Sequence, residues 1–405
     1  MKIVIAAAVL LLSACGSVPT SRTAAGFPAC DPSRPVQTVT LVHVTDLHEH
    51  YGLAADGVSP YARIRGYFDS IRNENRDSLF MDGGDDQEKG SIAGQLSNGV
   101  ASRDMIRAMG FDARVMGNHD FAWGEAGALD HSHDPHAVVL ATNIRYVGKD
   151  PVGFGATDYA EIHVGCVTLG LVGPVTTPWN AEDEPFAGQY PGFRGNYDYA
   201  AAVRAALKKR RDADAIIVLS HLGREDDLKL AAAVPSVDLV LGGHTHGVTW
   251  EPISAGRAEY VESGHDAEYV TRVDLDFDPR TRRLIGLRHD LTRVGPDMPV
   301  DSAVQAAALR ALASWAPVGD EDRFCACRDA DRRSAAEVAA RAAMEELGVD
   351  AAFVDVGNVW VPWKAGSLAP QDFLDAFKIE RQPPGAPGFN AFEMAEMSGA
   401  VLKAA

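Results

Sequence analysis

The sequence predicts an α/β protein in which helices cover packed β-sheets. Apolar β-branched runs alternate with amphipathic helical stretches up to about residue 245, and β-rich sequence follows. Five of the predicted strands also run directly into Asp, Asn or His. Parallel strands in such folds end at one edge of a sheet, where ligands bind. We therefore expect a layered α/β sandwich with a polar site at the carboxyl ends of its strands.

The predicted elements follow from residue periodicity and from helix-start signals. Ser59 and Pro60 are typical of a helix cap and first turn, and alternating apolar residues indicate strands. Strands are predicted at 37–45, 78–81, 113–116, 137–141, 166–172, 215–219, 237–241, 257–261 and 351–354, with antiparallel β-structure over 269–293. Helices are predicted at 60–75, 91–109, 199–211, 225–233, 301–315, 334–347 and 371–377.

Length and charge restrict the classes of function. The chain has 405 residues, which favours two domains or one large domain with an appendage. Its 38 basic and 56 acidic residues give a net charge of −18. An acidic surface disfavours nucleic-acid polymers and anionic membranes as partners. Small phosphorylated substrates remain compatible, because a bound metal reverses the local field.

The first residues are expected to direct export rather than to join the fold. Met1 and Lys2 precede an apolar run that is too short to span a bilayer. The sequence 12–16, Leu-Ser-Ala-Cys-Gly, resembles a bacterial lipobox. We expect a lipoprotein signal peptide over 1–14, acylation of Cys15 and a tether over 15–36, which places the protein on a membrane of the bacterial cell envelope, facing the periplasm.

The other cysteines permit a disulfide in an exported protein. Cys30 is expected to be free or to pair with Cys325 or Cys327. Cys166 lies in an apolar run and is expected to be a buried thiol.

The five polar clusters provide a coherent set of metal ligands. His and Asp bind Zn, Mn, Fe or Co, and Asp-x-His or His-x-His places two side chains on one face of an extended chain. So many donors exceed the needs of one ion and indicate two ions that share a carboxylate. The clusters are Asp46-Leu47-His48, the Gly-rich stretch 82–90, Gly117-Asn118-His119-Asp120, Ser220-His221 and the stretch 242–247 with His244 and His246.

In this order the clusters resemble those of the calcineurin-like metallophosphoesterases, especially the bacterial 5′-nucleotidase branch, over about residues 37–400. The resemblance implies a four-layer α/β/β/α sandwich over 37–295, a helical linker over 296–333 and a small, incomplete α/β C-terminal domain over 334–405. It also implies hydrolysis of a small phosphorylated substrate, in which a hydroxide held between two divalent ions attacks phosphorus.

The resemblance also implies roles for individual residues. Asp85 would bridge the ions, and His119 would protonate the leaving oxygen. One ion would be held by Asp46, His48, Asp85 and His246, and the other by Asp85, Asn118, His221 and His244. Asn118 and His119 would also contact the substrate.

A general acid of this kind needs a carboxylate that fixes its tautomer. Many nucleotidases carry an acidic residue where this chain has Ala122. Glu88 is the favoured substitute, because it matches the acidic residue of the phosphatase motif Gly-Asp-x-x-Asp-Arg-Gly, and Asp120 is the alternative. Asp86 is expected to face away and bond backbone groups, and His131, His133 and His136 are expected to be exposed.

The C-terminal part departs from the nucleotidases. Their Asn-x-Gly-x-x-Arg-like nucleoside-binding segment corresponds to 355–360, where Asp355 and Trp360 replace Asn and Arg. Trp360 is still expected to contact the substrate, but we expect the protein to show little selectivity for the nucleobase.

Three other functions remain as alternatives to hydrolysis of a phosphate monoester. They are a 2′,3′-cyclic nucleotide phosphodiesterase, a thiosulfohydrolase-like sulfur-ester hydrolase, and an inactive metal-binding lipoprotein.

Overall fold

The computed structural model describes residues 29–176, 192–316 and 324–348, together with 352, 354, 359, 361, 363–368 and 370–376. The expected signal peptide and Cys15 lie outside these residues. Among the described helices, none is both long enough and apolar enough to cross a membrane.

The described residues form strands and helices that alternate along most of the chain. The strands are β1 (Gln37–Val44), β2 (Ser78–Asp82), β3 (Ala113–Val115), β4 (Val138–Leu140), β5 (Ile144–Tyr146), β6 (Ala160–Val164), β7 (Val167–Val172), β8 (Phe193–Gly195), β9 (Ala215–Leu219), β10 (Leu239–Gly242), β11 (Ile253–Ala255), β12 (Ala258–Glu262), β13 (Tyr269–Phe277), β14 (Leu284–Arg293), β15 (Phe324–Ala326) and β16 (Gly366–Leu368). The helices are α1 (Pro60–Glu74), α2 (Ile92–Leu96), α3 (Val100–Met109), α4 (Gly124–His131), α5 (Tyr199–Ala206), α6 (Arg224–Ala233), α7 (Ser302–Trp315), α8 (Arg332–Leu347) and α9 (Pro370–Ala376).

Two six-stranded sheets carry the fold. The first has the order β14-β13-β1-β2-β3-β4, in which β1 to β4 are parallel. The second has the order β11-β12-β10-β9-β7-β6, in which β7, β9, β10 and β12 are parallel. In each sheet the parallel strands therefore present their carboxyl ends at a common edge.

Alternating side chains on each strand fill separate layers of the core. Leu41 and Leu219 point between the sheets and belong to one central cluster. Their neighbours Val42 and Val218 point outward, Val42 into a cluster with α1, α3 and α7 and Val218 into one with α5 and α6. The four-layer α/β/β/α sandwich is thus confirmed.

The helix predicted at 91–109 is interrupted. It is divided into α2 and α3 because Asn98 and Gly99 adopt left-handed backbone conformations, with φ of 52° and 76°. Such residues end helices. This break makes α2 a separate short helix beside the loop that carries Glu88.

The cysteine prediction was wrong for Cys30 and Cys166. These two residues form a disulfide, with Cα atoms 5.0 Å apart. Cys166 lies in the turn between β6 and β7 rather than inside a strand, so its side chain is only half-buried and reaches the chain just before β1. Cys327 is exposed and free.

The described part of the C-terminal region forms a small unit of its own. Strands β15 and β16 pair antiparallel, and a separate cluster contains Ala335, Val359, Trp363 and Leu368. The helix predicted at 371–377 corresponds to α9. Of the strand predicted at 351–354, residues 352 and 354 are described, and neither lies in a strand. The domain boundaries proposed from the sequence stay predictions.

Candidate active site

The loops that follow β1, β2, β3, β9 and β10 meet at the carboxyl edges of both sheets. They bring together six of the seven side chains expected to bind metal. Two groups of donor atoms are close enough to hold an ion each: Asp46, His48 and His246 form one, and Asp85, His221 and His244 form the other. Asn118 follows β3 at the same sheet edge and is 9% exposed.

The first group combines ring nitrogens with a carboxylate. The Nε2 atoms of His48 and His246 are 3.1 Å apart, and Asp46 Oδ1 lies 3.4 Å from His246 Nε2. The Nδ1 of His48 lies 3.2 Å from the carbonyl oxygen of Gln87. If Nδ1–H donates to that carbonyl, the Nε2 lone pair is available to bind a metal.

The second group is centred on Asp85. Its Oδ2 lies 3.1 Å from His221 Nε2 and 3.8 Å from His48 Nε2, so one oxygen reaches donors of both groups. His221 Nδ1 is 2.7 Å from the Gly83 carbonyl oxygen, which again directs Nε2 into the site. Asn118 Oδ1 is buried and has no hydrogen-bond partner among the described residues. An orphaned carbonyl oxygen beside carboxylates and imidazoles fits a divalent cation.

The ligand loops adopt backbone conformations that non-glycine residues rarely use. Five expected ligands have φ between 42° and 75°. Such conformations cost free energy and persist where the surrounding structure enforces them, often at functional sites. A Cβ on Gly117 would collide with the side chain and backbone nitrogen of Asp85, so only glycine permits this approach. The strained residues are Asp46, His48, Asp85, His244 and His246.

Burial favours the uncharged forms of four of the expected ligands. Burial lowers the pKa of His244 and of His246 to about 4 each, and it holds the pKa of His48 well below its usual value. Burial raises the pKa of Asp46 to about 7, helped by the charge of Asp85. These three imidazoles are therefore neutral at pH 7, which is the form that binds metals.

His119 forms a dyad with Glu88. The Nδ1 of His119 lies 2.6 Å from Glu88 Oε2, and its Nε2 lies 4.0 Å from Asp85 Oδ2. Burial opposes protonation, but the charge of Asp85 and the hydrogen bond with Glu88 outweigh it and raise the pKa of His119. An imidazole held in one tautomer beside a metal-binding carboxylate is suited to proton transfer.

Asp120 braces the backbone instead. Its carboxylate accepts hydrogen bonds from the backbone N–H groups of Asp85 at 3.2 Å, Asp86 at 3.0 Å and Gly117 at 2.7 Å. It thereby joins the loop after β2 to the loop after β3, and Glu88 rather than Asp120 contacts His119 Nδ1.

The expectations that Asp86 bonds backbone groups and that His131 is exposed were wrong. Asp86 bonds Arg114 Nη2 at 2.6 Å rather than backbone groups, and His131 is 2% exposed because α4 places it beneath this loop. Asp86, Asp120 and His131 could together surround a cation. That cation is already present as Arg114, whose Nη2 also lies 2.6 Å from His131 Nε2. His133 and His136 are exposed, as expected.

Two residues that hold the ligand loops in place were not predicted from the sequence. Arg114 interrupts a strand that is otherwise apolar, and that charge in a buried position was the available signal. Glu262, which is fully buried at the end of β12, accepts hydrogen bonds from Thr245 Oγ1 at 2.6 Å and Gly247 N at 2.8 Å. It holds the turn that carries His244 and His246. Trp360 lies outside the described residues.

Comparison with known proteins identifies the family. The profile of calcineurin-like phosphoesterases matches residues 39–248, which is 210 of the 405 residues. The chain belongs to that family. The family uses divalent metal ions, and the His and Asp groups described above are able to bind them.

Its relatives include nucleotide phosphoesterases. The trifunctional nucleotide phosphoesterase protein YfkN of Bacillus subtilis is 25% identical over 276 residues, covering 60% of this chain and 18% of that protein. The 5′-nucleotidase of Rattus norvegicus is 26% identical over 254 residues, covering 57% of this chain and 43% of the rat protein. The chain therefore matches less than half the length of each of these relatives.

Solved structures show the same fold. The 5′-nucleotidase precursor from Thermus thermophilus superimposes with a TM-score of 0.67 at 20% identity, covering 84% of this chain and 74% of that one. The sulfate thiohydrolase SoxB of T. thermophilus gives 0.62 at 19% identity, covering 84% and 73%. At these identities the likeness establishes the fold and leaves the substrate open.

The bracing role of Asp120 predicts a stability defect. Asp120→Asn leaves one acceptor oxygen and turns an NH₂ group toward backbone N–H groups. We expect a loss of about 3 kcal/mol in the free energy of unfolding, because hydrogen bonds to a buried charge are worth roughly 1.5–3 kcal/mol each. Urea unfolding in the presence of EDTA measures this without a contribution from metal. Stability equal to wild type would show that Asp120 does not brace the loops.

Proposed function

We propose that this chain is an exported phosphomonoesterase of the 5′-nucleotidase type that works with two divalent ions. The observation that carries the proposal is the position of Asp85, whose Oδ2 is within 4.0 Å of nitrogen atoms of His221, His48 and His119. Two donor groups and a proton-transfer dyad thus converge on one carboxylate. An inactive scaffold would have no physical need for this convergence of strained, buried donors.

The residues present fit two ions. Asp46, His48, Asp85 and His246 would hold one, and Asp85, Asn118, His221 and His244 would hold the other. When bound, two such ions lower the pKa of a coordinated water and offset the charge of a phosphate ester. The identity of the ions is left open, because Zn, Mn, Fe, Co and Mg all accept part of this mixed nitrogen and oxygen donor set.

If both ions share Asp85, its substitution should lower the metal content more than substitution of a ligand to one ion. Asp85→Asn removes the bridging charge and should reduce the metal content from about two ions per chain to fewer than one. His48→Ala should leave about one ion. Asp104→Asn, which changes an exposed aspartate on α3, is the matched control and should keep both. Elemental analysis of the purified, metal-loaded proteins gives the stoichiometry. One ion or none in the wild type would contradict the two-metal proposal.

The dyad provides the proton for the leaving group. Glu88 holds Nδ1 of His119, so that Nε2 faces the centre of the site and can donate its proton to the departing alkoxide. Asn118 and His119 are also proposed as substrate contacts, because both belong to the loop after β3, which is joined to Asp85 by the hydrogen bond from the His119 backbone N–H. Glu88 is thus a positioning residue, and His119 is the general acid.

The acid role predicts a dependence on the leaving group. His119→Gln should slow hydrolysis of an alkyl phosphate by roughly 10²–10⁴-fold, the usual effect of a positioned acid. The loss should be much smaller for 4-nitrophenyl phosphate, whose leaving group needs no proton. Glu88→Gln should reproduce part of this pattern, and His136→Gln, at an exposed histidine, should not. Equal losses on both substrates would remove His119 from the acid role.

The substrate is proposed to be a small phosphate monoester that is recognised mainly through its phosphate. Relatives named as nucleotidases support nucleotides as substrates. The replacements at Asp355 and Trp360 argue against tight recognition of the base. The thiosulfohydrolase and cyclic-phosphodiesterase alternatives receive no specific support from the described contacts.

Weak base recognition predicts a flat substrate profile. Stacking contributes about 1–3 kcal/mol per aromatic contact, so loss of most base contacts should leave AMP and ribose 5-phosphate with kcat/KM values within about a hundredfold. The comparison uses AMP, UMP, ribose 5-phosphate and an aryl phosphate under identical metal loading. A preference for AMP over ribose 5-phosphate above a hundredfold would reveal a base pocket.

Export is proposed from two independent features, and the first of them also supports membrane anchoring. One is the lipobox ending at Cys15. The other is the disulfide between Cys30 and Cys166, because disulfides persist mainly in oxidising compartments such as the periplasm.

Anchoring predicts a change in fractionation. Cys15→Ser should release the protein from membranes or block its processing, because acyl chains supply the membrane affinity. Cys327→Ser removes an exposed thiol and is the matched control. Immunoblots of membrane and soluble fractions measure both variants. Unchanged membrane association of the Cys15 variant would refute acylation at this residue.

A further inference from the structure

The loop that carries Glu88 depends on an element far away in the sequence. After Asp85 the chain passes through Glu88 and Lys89, whose φ values are 67° and 78°, and enters α2 at Ile92. Gly90 packs so tightly here that a Cβ would meet the carbonyl oxygen of His48. Two consecutive non-glycine residues in the left-handed region need external support.

Gln371 on α9 forms hydrogen bonds with the backbone at the end of this loop, where the chain enters α2. Its Oε1 accepts a hydrogen bond from the backbone N–H of Ile92 at 2.9 Å, and its Nε2 donates to the carbonyl oxygen of Gly90 at 2.9 Å. The Ile92 N–H lies in the first turn of α2, where no intrahelical acceptor exists. The side chain therefore satisfies the backbone of the loop on each side of Ser91.

The orientation of the Gln371 amide is fixed within α9. Its Nε2 also donates to Asp375 Oδ1 at 2.7 Å, one turn further along the helix. The nitrogen thus faces two acceptor oxygens and the oxygen faces an N–H group, so a flipped amide would lose all three contacts. This arrangement makes Gln371 a preorganised clamp on the loop.

We propose that Gln371 is a positioning residue for the proton-transfer step, through which the C-terminal region controls the Glu88–His119 dyad. It fixes the backbone two to four residues beyond Glu88 and so keeps the Glu88 carboxylate at Nδ1 of His119. The inference rests on the proposed function, in which His119 protonates the leaving group. It gives the C-terminal region a role in chemistry that is separate from any contact with a nucleoside.

The chain contains a matched control for this clamp. Gln305 on α7 makes the same pair of contacts with a loop that does not carry the dyad. Its Oε1 accepts from the Ser59 N–H at 2.9 Å, and its Nε2 donates to the Gly57 carbonyl oxygen at 3.1 Å. Gln→Met at either position keeps the length of the side chain and removes two equivalent bonds to a loop.

The experiment compares Gln371→Met and Gln305→Met in the full-length, metal-loaded protein, with ribose 5-phosphate and 4-nitrophenyl phosphate as substrates. We expect Gln371→Met to lower kcat for ribose 5-phosphate by about tenfold, within the 10–100-fold range typical of residues that orient a functional side chain. The loss with 4-nitrophenyl phosphate should be less than about threefold, because its leaving group needs no proton. Metal content should stay at the wild-type value, and Gln305→Met should show no dependence on the leaving group.

A double-mutant cycle tests whether Gln371 acts through Glu88. If it does, adding Gln371→Met to Glu88→Gln should lower kcat for ribose 5-phosphate no further, because coupled residues are non-additive. Fully additive effects, or the same profile for Gln371→Met and Gln305→Met, would overturn the proposal. Gln371→Glu, which keeps the acceptor for Ile92 N–H and places a carboxylate against the Gly90 carbonyl, gives a second test if the Met variant folds poorly. It should show the same selective loss, and an equal loss on both substrates would count against the proposal.

The results for His119→Gln and Gln371→Met distinguish a failure of this inference from a failure of the proposed function. If His119→Gln affects both substrates equally, the acid role itself fails. If His119→Gln shows the expected selectivity and Gln371→Met does not, only the inference about the C-terminal region fails.

Discussion

The structure depends on the placement of one buried carboxylate. Asp85 sits in a left-handed backbone conformation against Gly117, and its Oδ1 accepts the backbone N–H of His119 at 2.8 Å. That contact joins the loop after β2 to the loop after β3 and leaves Oδ2 directed at the histidines. Asp120 reinforces the same junction from below through backbone N–H groups. Moving Asp85 would therefore disturb both donor groups and the His119–Glu88 dyad together.

The arrangement of the site lowers the stability of the metal-free protein. The donors Asp46, His48, Asp85 and His221 are buried, and burial by itself disfavours their charged forms. Five of the ligands also occupy strained backbone conformations. Supporting residues hold these loops from outside the donor set, such as Arg114 beneath Asp86 and Glu262 behind the His244 turn. Cations would relieve the electrostatic part of this cost, so metal binding and local stability are expected to be linked.

Much of the site could be predicted from the sequence because parallel strands deliver their ends to one edge. Asp46, Asp85, Asn118, His221 and His244 each follow a recognisable strand, and the structure brings them together. The remainder depends on contacts with no local signal. The pairing of Cys30 with Cys166, the position of His131 under the β2 loop and the reach of Gln371 to Gly90 are all set by tertiary packing. The helix break at Gly99 was missed because apolar periodicity continues across it.

The central claim is that two ions share Asp85. Anomalous diffraction from crystals of the manganese-loaded protein, measured above and below the manganese edge, tests it most directly. Two peaks about 3.5–4 Å apart are expected, one contacting Asp46, His48 and His246 and the other contacting Asn118, His221 and His244, with Asp85 between them. A single peak, or a peak among Asp86, Asp120 and His131, would contradict the two-metal site.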